Sequence, residues 1–268
     1  MGLLLRGVCL SHRGKVRRKN EDNYCCDGKI QKEDSDFSRV EFRRSTAFRP
    51  FCAAVFDGMG GERFGEKASC AAAKALQSME KLFPNLRLPE DLENLTQTLN
   101  RAVWSEEKAL LTSHMGTTMV LFLAKGRTLY ACSLGDSRAY RLREGELTRL
   151  SKDHTEQRPS HPGGKPGLTQ YLGIDPQEMV LEPSVRQEEM EPGDQYLLCS
   201  DGLTDMVSEE EIRNALSACA SPGEGAETLL NLALEAGGAD NITLMLLSPQ
   251  ELPGHKLCSR IQEILKRN

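Results

Sequence analysis

The stretch from Thr117 to Ser151 constrains the fold more than any other part of the chain. Four apolar-rich segments, TTMVLFLA, TLYACSL, SRAYRLR and ELTRLS, follow one another with only KGR, GD and EG between them. Such gaps carry hairpin chemistry and suit an antiparallel meander. PFCAAVF and QYLLCS read as further buried strands, and NITLMLLS as a last one. Helices fall between these runs. Ala68, Ala72, Leu76 and Met79 recur at helical spacing after Gly65, and a second helix is expected from Pro89 to Leu111. Ser208 with Glu211, and Ser221 with Glu224, form the capping-box signature of two more. Leu257, Ile261, Ile264 and Leu265 mark an amphipathic helix within residues 253–268. Antiparallel strands with outer helix pairs predict an α+β layered sandwich. No internal repeat or low-complexity linker divides residues 1–268, so a single domain is expected.

Composition narrows the function classes. A formal charge of −5 without a long Lys/Arg block argues against nucleic-acid binding. The longest apolar runs, such as MVLFLA, fall far below the roughly 18 residues of a membrane span. Arg6 interrupts the apolar start, so no signal peptide is expected, and it stands where a myristoylation motif on Gly2 wants Ser or Thr. The nine cysteines include no CxxC and sit mostly in apolar segments, as small buried hydrophobes do in a reducing compartment. A cytoplasmic protein is the expectation. Adjacent Cys25 and Cys26 have no nearby histidine and make a poor metal site.

Acidic residues gather at strand ends. Asp57 follows PFCAAVF, Asp201 follows QYLLCS, and Asp240 precedes NITLMLLS; Asp136 lies between two strands, and Glu21 and Asp22 precede YCC. Each alone reads as a turn residue. If several converge, their repulsion raises their pKa values unless a cation neutralises them. Carboxylates and carbonyls suit hard ions such as Mg²⁺ or Mn²⁺. Gly58, lacking a side chain, could turn its carbonyl onto such an ion.

Seven ordered blocks carry a resemblance: GKVRRKNEDNY, VFDGMGGERFGEKAS, GTTMV, GDSRAYRLREGELTRLSKDHT, LTQYLG, LLCSDGLTDMVSEEEI and GGADNITLMLL. Over about residues 6–248 the chain resembles the metal-dependent, type 2C (PPM) Ser/Thr protein phosphatases, and DGMGG resembles the bacterial branch. The resemblance implies a four-layer α-β-β-α sandwich of two antiparallel sheets flanked by helix pairs. It implies two Mn²⁺ or Mg²⁺ ions bridged by Asp57, one held also by Asp201 and Asp240, the other by Glu21 and the Gly58 carbonyl. Asp22 would orient metal-bound water, and Asp136 with Asp205 would hold a third, weaker ion. Arg17 falls where the family places its phosphate-binding arginine; unaided, it reads as a solvated residue of a basic run. The activity implied is hydrolysis of phosphoserine and phosphothreonine in proteins by a metal-bridging hydroxide. Phosphorylated proteins of a Ser/Thr kinase would be the partners, with no nucleic acid, no membrane, and a monomeric enzyme.

The chain departs from the family's pattern in places. Met59 stands where animal members usually carry histidine, so the proton donor to the leaving group differs. The flap stretch 156–167 is short, Gln170 replaces an arginine, and 29–49 is long and expected as a solvated hairpin. His154, His161 and His255 read as surface or turn residues. Two other functions stay open: a catalytically silent phosphoprotein-binding regulatory module, and a two-metal hydrolase of small phosphoesters or nucleotides.

Overall fold

A computed structural model describes residues 2–59, 64–112, 115–158 and 165–252. Along the chain these form β1 (Leu4–His12), β2 (Asp22–Cys26), β3 (Lys29–Ile30), β4 (Phe37–Ser45) and β5 (Phe51–Met59). Helices α1 (Gly65–Met79) and α2 (Asp91–Ala109) precede β6 (Gly116–Thr117), β7 (Met119–Lys125), β8 (Thr128–Leu134), β9 (Arg138–Arg143) and β10 (Glu146–Arg149). Then come β11 (Ser184–Glu189), β12 (Gln195–Cys199), the single turn α3 (Asp201–Thr204), α4 (Glu209–Ala218), α5 (Pro222–Glu235) and β13 (Ile242–Gln250). The amphipathic helix expected at 253–268 lies outside the described residues. No described helix is long and apolar enough to cross a membrane.

One sheet runs β10-β9-β12-β13-β1-β4 and the other β11-β8-β7-β5-β2-β3, with β6 beside the end of β5. Side-chain alternation along each strand generates the layers. In β5, Phe51, Ala53 and Val55 pack between the sheets, where they meet Tyr196, Leu198 and Met245 of the opposite sheet. Cys52, Ala54 and Phe56 face the other way, onto Ala72 and Leu76 of α1 and Leu95 and Leu99 of α2. On the far side, Leu197, Leu244 and Leu246 pack against Ile212 and Leu216 of α4 and Leu229 of α5. Strands buried on both faces therefore read as unbroken apolar runs rather than alternating ones. Burial of each such Leu or Phe is worth roughly 1.5–3 kcal/mol, and these three cores hold the expected four layers together.

Three expectations need correction. The meander breaks at its centre: β7 pairs with β8 and β9 with β10, but β8 and β9 belong to different sheets. Gly135-Asp136 is thus a crossing between sheets rather than a hairpin turn, with Gly135 at φ +98°. The 29–49 stretch is no free hairpin, because β4 pairs along its whole length with β1. Phe42 explains the docking: it stacks on Phe51 at 4.8 Å between centroids, over Gly7, where a Cβ would stand 2.3 Å from its ring. Charged Arg39, Glu41 and Arg43 alternate with it along the open edge, a pattern that discourages strand addition. Finally, Ser208 and Glu211 complete a capping box, but Ser221 makes half of one: the Glu224 carboxylate takes the N–H of Ala220 instead.

Candidate active site

The alternation that builds the core also aims its polar ends. The inward positions of β5 (51, 53 and 55) continue to Asp57, and those of β2 (26 and 24) lead back to Asp22; the two aspartates face each other in register. Across the gap, the inward positions of β12 lead to Ser200. Its hydroxyl donates to Asp22 Oδ2 at 2.8 Å and accepts the Thr243 N–H at 3.0 Å, tying one sheet to the other. Here the apolar core gives way to polar groups.

Glu21, Asp57, Gly58, Asp136, Asp201 and Asp240 line one cleft of 350 Å³, with Arg17 on its wall. Asp22 lies buried behind them, and Asp205 stands beyond the lining and joins it through Lys165. Thr117 and Thr118 fix Asp57. The Thr118 hydroxyl accepts its N–H at 3.1 Å, while the Thr118 N–H and Thr117 hydroxyl donate to its carbonyl at 2.9 and 2.8 Å.

Close backbone approach does the rest. A Cβ on Gly65 would stand 2.9 Å from both the Glu21 carboxylate and the Gly58 carbonyl oxygen, so those oxygens share one small space. A Cβ on Gly202 would lie 1.9 Å from the Asn241 carbonyl oxygen; its absence lets the Asp201–Gly202 turn pack against the Asp240–Asn241 backbone.

Crowding shows in the acidities. Burial, then the charges of Asp201, Asp22, Asp136 and Asp240, hold the Asp57 carboxyl well above the usual carboxylate range. Burial and Asp201 push Asp136 up to about 6. Glu21 is raised by burial and by Glu66. Asp22 rises to about 7, mainly through burial, with Ser200 and Thr243 partly offsetting it.

Arg17 Nη2 contacts Asp240 Oδ2 at 2.6 Å, so it faces the acids rather than solvent alone. Lys165 Nζ contacts Asp201 Oδ2 at 2.6 Å and also pairs with Asp205. Lys19 pairs with buried Glu66 at 2.7 Å. Among the described residues, no three His, Cys, Asp or Glu side chains stand ready-made as a cation cage. Arg17 and Lys165 already hold two of the carboxylates.

Sequence reasoning missed Asn241, Lys165, Glu66 and the two threonines. Asn241 accepts the Glu21 N–H at 2.8 Å and donates to the carbonyls of Arg13 and Lys19, both at 2.8 Å, pinning the basic loop over the cleft. Its position beside Asp240 in GGADNITL was the available signal. Gln170 takes the Glu182 N–H at 2.7 Å, a structural tie. His154 Nδ1 accepts the Gly135 N–H at 3.3 Å, bracing the sheet crossing. His161, His255 and part of the flap, 159–164, lie outside the described residues.

Residues 40–235 match the model of the protein phosphatase 2C family. The chain belongs to that family. It is 33% identical over 258 residues, 91% of its length, to the serine/threonine protein phosphatase PstP of Mycobacterium tuberculosis, but spans only 45% of that relative. It is 30% identical to the serine/threonine phosphatase stp of Listeria welshimeri, covering 88% of this chain and 92% of that one. Among solved structures, the catalytic domain of PstP in complex with two manganese ions aligns at TM-score 0.73 with 32% identity, over 93% of this chain and all of that one. PppA, a regulatory component of the type VI secretion system in Pseudomonas aeruginosa, aligns at TM-score 0.72 with 30% identity, over 93% of this chain and 100% of that one.

The cleft of this family member suits hard divalent ions. Its donors are carboxylates and a carbonyl, the Gly58–Gly65 cradle brings Glu21 and Gly58 oxygens together, and buried Asp22 Oδ1 has no hydrogen-bond partner among the described residues.

Proposed function

We propose that the chain is a metal-dependent phosphatase acting on phosphoserine and phosphothreonine of proteins. The observation that carries this reading is the convergence of Glu21, Asp57, Asp201 and Asp240 on one cleft, where burial first, and then the charges of neighbours that include Asp201 and Asp240, raise Asp57. Asp57, Asp201 and Asp240 would hold one Mn²⁺ or Mg²⁺ ion; Asp57, Glu21 and the Gly58 carbonyl would hold a second. Asp136 and Asp205 would serve a third, weaker one. Ions held there would supply an activated water and offset charge on the phosphoryl oxygens.

The chain's own groups position the reaction. Arg17 presents a planar, permanently charged guanidinium at the cleft wall, suited to two phosphate oxygens at once. Asp22, held by Ser200, orients polar groups from beneath. Met59 lines the cleft and has no proton to give, so the leaving group takes its proton from water. The shared catalytic core favours this reading over a silent phosphoprotein-binding module, since every acidic position of the family's pattern is filled. We further infer one catalytic unit, monomeric and cytoplasmic, serving a Ser/Thr kinase's products and engaging neither nucleic acid nor membrane. The free cysteines among the described residues agree with a reducing compartment.

Purified protein with Mn²⁺ is expected to hydrolyse an aryl phosphate and a phosphothreonine peptide, and to lose this activity with EDTA or in Asp57→Asn. Turnover that survives both, or none at all, refutes the reading. A preference for nucleotides over phosphopeptides would favour the small-phosphoester alternative.

A further inference from the structure

Among the described residues, Arg17 and Lys165 line the acidic cleft, from different directions. Arg17 belongs to the basic loop pinned by Asn241. Lys165 arrives from the connection between β10 and β11, and its Nζ pairs at once with Asp201 Oδ2 and Asp205 Oδ2. Its delivery is built into the fold. The Glu156 N–H donates to the Gly167 carbonyl at 2.8 Å, and the Thr169 N–H donates to the His154 carbonyl at 2.8 Å. His154 in turn holds the Gly135 turn, which carries Asp136. The segment bearing Lys165 is thus strapped to the same turn that places an acid in the cleft.

An ammonium has three donors and one charge, enough to satisfy two neighbouring carboxylates and relieve their repulsion. Those carboxylate oxygens cannot hold a lysine and a divalent cation together. We propose that Lys165 is a tethered cation held by Asp201 and Asp205, and that through Asp205 it competes with the weakest of the divalent ions, the one assigned above to Asp136 and Asp205. This rests on the metal-dependent reading above and adds to it a positioning residue of this chain. Competition has two faces, because coupling is reciprocal: Lys165 weakens the ion, and the ion, once bound, frees Lys165. Low metal therefore leaves the acid pair closed by the protein's own charge, and high metal opens it and releases the strapped segment's side chain.

The test is Mn²⁺ titration of metal-free protein by calorimetry, comparing wild type with Lys165→Met, which keeps the stem and loses the charge, and with Lys165→Arg, which keeps the charge. The tight uptake, in which Asp57, Asp240, Glu21 and the Gly58 carbonyl supply the other ligands beside Asp201, is expected to be kept in all three and to tighten less than the weakest uptake in Lys165→Met. The weakest uptake is expected about tenfold tighter in Lys165→Met, within the roughly 5–150-fold range of coupled sites, and near wild type in Lys165→Arg. In parallel, acylation of the Lys165 amine, followed by mass spectrometry, is expected to rise as that weakest site fills. An unchanged weakest uptake in Lys165→Met, or Lys165 labelling indifferent to Mn²⁺, overturns the proposal while leaving the tight ions in place. Absence of any tight uptake in wild type overturns the metal-dependent reading, and this inference with it.

Discussion

Asp22 gives the sharpest view of how the cleft is assembled. Its carboxyl is buried between the sheets, with Oδ2 receiving the Ser200 hydroxyl and Oδ1 without a hydrogen-bond partner among the described residues. Burial above all lifts it from 3.8 to about 7. In metal-free protein the folded state therefore keeps a proton here that the unfolded chain has lost between those two values. A folded-state pKa that is raised gives stability fully present below 3.8 and lost as pH rises through about 7. At ~1.36 kcal/mol per pH unit, the rise amounts to on the order of 4 kcal/mol. Asp57, Asp136 and Glu21 act in the same direction; His12 and His154, lowered chiefly by burial, act against it. Comparing wild type with Asp22→Asn isolates the one group, since asparagine keeps an oxygen for the Ser200 hydroxyl. Urea unfolding in EDTA at several pH values between 5 and 8 is the assay. Wild type is expected to lose stability toward pH 8 and Asp22→Asn to lose markedly less. Parallel curves for the two proteins would refute the reasoning, as would wild-type stability rising through this window.

Gly202→Ala would press a Cβ against the Asn241 carbonyl oxygen, and relief requires backbone movement. It is expected to cost about 1–3 kcal/mol in chemical unfolding and to weaken Mn²⁺ uptake measurably by calorimetry. Asn241→Ala removes three hydrogen bonds that pin the 13–21 loop, so kcat/KM on an aryl phosphate should fall more than tenfold, an effect of at least about 1.4 kcal/mol. Ser208→Ala breaks the capping box of α4, a helix that packs on the outer core through Ile212 and Leu216 and does not line the cleft. Thermal unfolding should show a loss of about 1 kcal/mol while kcat/KM stays at the wild-type value.

The layers were legible because their signals are local. Apolar runs in β5, β7, β12 and β13, and the 3.6-residue spacing of α1, leave little choice of element type. The acids at strand ends were legible for the same reason, since period two carries the inward face of β5 on to Asp57. What stayed hidden depends on contacts between distant segments. Ser200 and Asp22 are 178 positions apart, and no local pattern joins them. The sheet crossing at Gly135-Asp136 uses the same residue types as a hairpin turn, so composition could not separate the two. β4 presents charged residues along its open edge and docks by backbone pairing, by partly buried Val40 and Phe42 on the core and by Phe37 against His12, which left its 29–49 stretch resembling a solvated hairpin. Lys165 lies in a Pro/Gly-rich connection with no periodicity, and only the folded chain reveals that its amine reaches two carboxylates.

The central claim is that acids from the beginning, early middle and late parts of the chain grip a shared pair of divalent ions. Anomalous diffraction at the manganese edge from crystals grown with Mn²⁺ tests it directly. Two peaks in the cleft, both against Asp57, with Asp201 and Asp240 on one and Glu21 and the Gly58 carbonyl on the other, are the predicted result. Manganese bound elsewhere, or a cleft that takes up none at saturating Mn²⁺, would contradict the account.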